Sequence, residues 1–115
     1  MAYNEILEER ISDYLIGKSI HFEKKKMMGG LCFMIDDKMC LGLVKEQLMA
    51  RVSPVDYPTL LKRSGANEMN FTGRSMKGYL FVEEKVLVDD SQLYEWIDLC
   101  LAFNPFAKSS KSRKK

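Results

Sequence analysis

The sequence predicts a two-layer α+β domain. An antiparallel sheet of five to six strands and three helices follow one another in the order α-β-β-β-(β)-α-β-β-α. Three observations carry this. Apolar residues recur at helical spacing near both ends of the chain. Short apolar runs between them are separated by two-residue turn signals, which join antiparallel strands. Each helical segment has a single apolar face, so the helices can share one side of one sheet.

Element by element, Asn4 suits a helix N-cap, and Leu7, Ile11, Tyr14 and Leu15 repeat on one face behind it. Gly17 can take the left-handed conformation that ends this helix. In "SIHFEKKKMM", Ile20 and Phe22 alternate with His21 and Glu23, as in a half-buried strand with His21 in solvent. Gly29 and Gly30 break it. The runs "LCFMI" and "KMCLGLV" flank Asp36-Asp37, a two-residue turn that needs positive φ at both positions, which Asp tolerates. Lys45-Glu46 is a further short turn before "QLMARV". A second helix begins near Asp56 with Pro58 in its first turn, and Gly65 closes it. Strands "EMNF" and "GYLFVEE" follow, joined by "TGRSMK". Asp89, with Gln92 as its return partner, caps a last helix whose face is Leu93, Trp96, Ile97, Cys100 and Leu101, and Pro105 stops it. Residues 1–104 therefore form one domain, and 105–115 a disordered basic tail.

The chain has 115 residues, 46% of them hydrophobic and 30% charged, which is globular composition. No apolar run approaches the roughly 20 residues that span a bilayer, and "MAYNEILEER" carries acids where a signal peptide carries bases. A cytoplasmic protein without membrane contact is expected, with its three cysteines reduced. Lys108, Lys111, Arg113, Lys114 and Lys115 supply five of the 18 basic residues. Without them 13 basic residues face 16 acidic ones, a net of −3. Nucleic-acid contact is thus assigned to the tail alone, as weak or indirect, sequence-independent and salt-sensitive binding.

With a tight turn at Asp36-Asp37, residue 34 pairs with 39 and residue 33 with 40. Cys32 and Cys40 then lie on opposite sheet faces and cannot share a metal or a disulfide, whereas a three-residue turn would make them same-face diagonal neighbours and revive a reactive site; the tight turn is favoured because Ile35 reads as a strand residue. The C-x-x-C spacing of zinc sites is absent, and the chain has one histidine. No metal, cofactor or catalytic set is expected, and the cysteines read as small apolar fillers. The eight methionines fill core positions or mark an adaptable contact surface. Of Lys24, Lys25 and Lys26, Lys25 points away from the other two, as on a solvated edge strand that resists aggregation.

Two motifs carry a family likeness. Phe71-Thr72-Gly73-Arg74-Ser75-Met76-Lys77-Gly78-Tyr79 is the stronger, and Met28-Gly29-Gly30-Leu31-Cys32-Phe33 the second. In order and spacing the chain resembles the TfoX N-terminal domain-like family, relatives of bacterial competence regulators, over roughly residues 3–103. The resemblance implies an antiparallel sheet with helices on one side and a non-catalytic role in transcription regulation. It also implies a protein partner, a transcription factor of the cyclic-AMP receptor type. Sheet edges and exposed methionines would also allow a second copy in a homodimer. The full regulators carry a C-terminal helical domain where this chain has its basic tail. Within the first motif, Gly73 serves a tight turn and Gly78 a close backbone approach or a bulge, and Arg74 and Lys77, together with Arg51, form a candidate partner or anion site. A small ligand-binding domain around those three residues is the alternative, beside nucleic-acid binding through the tail.

Overall fold

A computed structural model describes residues 4–27, 29–68 and 78–107. The elements run α1 (Glu5–Gly17), β1 (Glu23–Met27), β2 (Gly30–Ile35), β3 (Lys38–Val44), β4 (Gln47–Arg51), α2 (Tyr57–Leu60), β5 (Ala66–Glu68), β6 (Tyr79–Glu83), α3 (Glu84–Leu87) and α4 (Asp90–Phe103), followed by a 3-10 turn over Asn104–Phe106. The six strands form one antiparallel sheet in the order β1-β2-β3-β4-β6-β5. The fold class and the meander agree with the sequence reading; of the expected strand "EMNF" only Glu68 is described, at the end of β5, and the rest of it and the loop "TGRSMK" lie outside the described residues.

Most local signals act as expected. Asn4 Oδ1 accepts from the Ile6 and Leu7 amides at 2.8 and 3.1 Å. Asp36 and Asp37 take φ of 55° and 64°, the left-handed pair that matches the twist of a two-residue hairpin. Lys45, at φ 57°, turns β3 into β4. Asp56 precedes α2, with Pro58 in its first turn, where a missing N–H is harmless.

Several expectations are corrected. Ser19 (φ 61°), not Gly17, takes the left-handed conformation after α1. Ile20 and Phe22 precede β1 instead of belonging to it, yet both pack against the core. The second helix ends at Leu60, and Gly65 (φ 82°) turns the chain into β5. Asp89 caps α4 by accepting from the Ser91 amide at 3.0 Å, but Gln92 accepts from Arg63 instead of returning to the cap. The run read as a strand through Glu84 becomes helical there, giving α3. The chain stays packed through Ala107, which is buried.

Register explains the two layers. Leu31, Leu43, Leu48, Val82 and Ala66 form one row across the sheet, and Phe33, Leu41, Ala50 and Leu80 form the next. Both rows face the helices and join Leu7, Ile11, Leu15, Leu93, Trp96 and Ile97 in the main core. Contacts between α1 and α4 advance in step: Arg10 with Asp90 at 2.6 Å, Tyr14 stacked on Tyr94 at 4.3 Å, and Lys18 with Asp98 at 3.6 Å. The two helices therefore lie parallel, side by side.

Candidate functional site on the outer face of the sheet

The residues between those rows point the other way. Lys25, Cys32, Gly42, Met49, Phe81 and Asn67 are cross-strand partners in one continuous row. Beside it lie Glu23 with Met34 and Met39, and Arg51 with Tyr79. Cys32, Met34 and Met49, at 1%, 7% and 0% exposure, form a second apolar cluster, and the partly buried Met39, Tyr79 and Phe81 pack against it. No described helix contributes to this cluster. Gly42 makes room for it, since a Cβ there would lie 2.9 Å from the Met49 Cε and 2.8 Å from the Leu31 carbonyl.

Arg51 sits at one end of the cluster. Its Nη1 donates to the Met39 carbonyl at 3.3 Å, and its guanidinium lies 5.4 Å from the centre of the Tyr79 ring. Both contacts use the planar, permanently charged group to tie β4 to its neighbours on either side. Arg74 and Lys77, expected beside it, lie outside the described residues, as do Phe71, Thr72, Gly73 and Met76 and the tail residues Lys108, Lys111, Arg113, Lys114 and Lys115. The motif glycines that are described have steric roles. Gly29 (φ 74°) turns β1 into β2, and a Cβ on Gly30 would overlap the Leu43 carbonyl. Gly78 (φ 90°) lies against β4, its carbonyl accepting from the Val52 amide at 2.7 Å.

The β2–β3 register differs from the expected one. Met34 pairs with Met39, but Phe33 pairs with Leu41, because Cys40 is the extra residue of a β-bulge. Cys40 and Leu41 thus both reach the helix-side core, where Cys100 also lies, while Cys32 belongs to the outer cluster. The two thiols remain on opposite faces. Burial pushes the Cys40 thiol up to about 12 and raises Cys32 and Cys100 as well. At neutral pH all three are protonated thiols, poor nucleophiles and poor metal ligands. Among the described residues, no three His, Cys, Asp or Glu side chains converge as a metal site.

Among the described residues, depressions also lie elsewhere. One, of about 940 Å³, is lined by charged groups that include Lys45, Glu46, Glu84 and Lys85. Part of that charge is internally satisfied, since Asn4 donates to Glu84 at 2.8 Å and Lys85 pairs with Glu83 at 3.2 Å. Another, of about 300 Å³, lies between Ser53, Asp56 and the end of α4.

The sequence alone pointed to methionines and a motif loop but not to the outer cluster. The signal was nonetheless present. Strands buried on both faces read as continuous apolar runs, as "GLCFMI" and "MCLGLV" do. The TfoX N-terminal domain family model matches residues 16–104, from within α1 to the end of α4. The chain belongs to this family. The matched span of this TfoX N-terminal domain contains the whole sheet and hence every residue of the outer cluster. No curated protein and no solved structure shows significant similarity to it. Among the described residues, no helix is long and apolar enough to cross a membrane.

Proposed function

We propose that this TfoX N-terminal domain is a non-catalytic regulatory module of the bacterial cytoplasm. It is related to the N-terminal domain of the coactivators that switch on DNA-uptake genes, and it acts by binding a protein partner. One observation carries the reading. On the sheet face away from its ordinary core lies a second apolar cluster, in which Cys32, Met34 and Met49 are buried and Met39, Tyr79 and Phe81 remain only partly buried against them. Met, aromatic and Arg side chains are enriched in protein interfaces, and thioethers adapt to a partner's shape. Glu23, Lys25, Asn67 and Glu83 place polar groups around it, as at an interface rim. Family membership supports the regulatory half of the reading. The partner we propose is a transcription factor of the cyclic-AMP receptor type.

Isothermal titration of the purified chain with the purified transcription factor tests this. Binding is expected, with a loss of at least about tenfold for Met39→Lys and for Tyr79→Ala, the range for truncating a central interface residue. Undetectable binding, or affinities unchanged in both folded variants, would contradict the proposal.

A further inference from the structure

The sheet has two edges, and they are unlike. At one edge β5 is only three residues long. At the other, β1 is five residues long and pairs with β2 without a bulge, from Glu23↔Met34 to Met27↔Gly30. Among the described residues no strand pairs with its outer side, and such an edge presents N–H and C=O groups in regular alternation, the template to which another strand can add. Glu23, Lys24, Lys25 and Lys26 are all exposed along it.

The charges select what can add there. If β1 met β1 of a second copy in the antiparallel register centred on Lys25, Lys24 would face Lys26 and Lys25 would face Lys25. Like charges directly opposite repel, so this edge disfavours its own copy. A strand carrying carboxylates meets the opposite situation. Lys24 already holds one, Glu8 on α1, at 3.0 Å. Among the described residues Lys25 and Lys26 have no acidic partner. Their cross-strand partners on β2, Cys32 and Leu31, belong to the outer cluster and the main core respectively, so the two lysines point to opposite faces. A seventh strand with two adjacent acids would therefore satisfy both.

We infer that the β1 edge is a docking site for an extended acidic segment of a partner protein, added antiparallel or parallel as a seventh strand. The inference rests on the reading of the domain as a protein-binding module and names a contact at the sheet edge, adjoining the outer face through Lys25. The added strand would lie beside Lys25 and widen the outer face.

The test uses a fluorescent, end-blocked eight-residue peptide of valines and threonines around two adjacent glutamates. Binding to the full chain is expected by anisotropy, together with slowed amide exchange at residues 23–27. The double variant Lys25→Glu/Lys26→Glu, at exposed positions that should leave the melting temperature unchanged, should lose at least about tenfold in affinity. So should a peptide of the same charge with alternate backbone nitrogens methylated, which cannot extend a sheet. Equal binding of the methylated peptide would reduce the site to plain charge attraction and overturn the proposal. Tighter binding of a single-stranded oligonucleotide, with exchange slowed at residues 23–27, would also overturn it. If the transcription factor binds and Met39→Lys abolishes that binding while the peptide does not bind, the edge proposal fails and the outer-face reading stands. If the peptide binds and the transcription factor does not, the edge site stands and the outer-face reading fails.

Discussion

Cys40 shows how a single residue sets the chemistry of a strand. As the extra residue of the bulge it turns inward beside Leu41, and burial raises its thiol from 9.0 to about 12. The sign of the pH effect follows. Below pH 9 the thiol is protonated in both folded and unfolded chains. Between pH 9 and 12 the unfolded chain releases the proton while the folded one retains it. The stability contributed by burial is thus complete below pH 9 and declines toward pH 12. Urea unfolding should show this decline, and Cys40→Ala should make it shallower, the buried Cys32 and Cys100 still contributing to it; an identical slope in the variant would contradict the assignment. Strain at other residues makes further predictions. Lys45→Gly relieves a left-handed residue and should add about 0.5–1 kcal/mol, the difference between that penalty and the entropy of glycine. Gly30→Ala should remove about 1–3 kcal/mol, because its Cβ meets the Leu43 carbonyl. The turn at Asp36-Asp37 was legible in the sequence because turn chemistry is local. The bulge two residues later was not, since β3 can absorb an extra residue only where the packing of both faces allows it.

Helix starts were more legible than helix ends. Asn4 caps α1 and also donates to Glu84 from its other side-chain atom, joining the first helix to α3. Asn4→Ala should therefore cost at least about 1 kcal/mol in thermal or urea unfolding, and a loss near zero would show that solvent replaces the cap. Gly17 offered the usual stop signal, yet the chain continues to Ser19 before turning, because the Lys18 and Ser19 amides still find the Tyr14, Leu15 and Ile16 carbonyls. Helix α3 left no trace in the sequence. Four residues cannot nucleate alone, and Glu84–Leu87 is helical because Leu87 is buried in the core. The outer cluster was legible only as runs too apolar for a one-sided strand, and its cause is the pairing of six strands in register.

At the scale of the molecule, charge and apolar surface are segregated. One sheet face carries the main core against the helices, the other a smaller apolar cluster with a partly buried rim, and the β1 edge a row of lysines. Truncation after Ala107 should leave the melting temperature unchanged and remove polyanion binding at low salt. Polyanion binding that survives truncation would assign it to the β1 lysines. The family likeness was readable from two short motifs, and the matched model extends it over residues 16–104. The site itself needed the register, because Cys32, Met49 and Phe81 are distant in sequence and adjacent only in the sheet. Methyl-labelled methionine provides the most direct test, since Met34, Met39 and Met49 all report from the outer face. On addition of the transcription factor, their NMR signals should shift or broaden while the methyls of Leu7 and Leu93 in the helix-side core stay in place. Unmoved methionine signals at saturating partner, or changes confined to the helix-side leucines, would contradict the account.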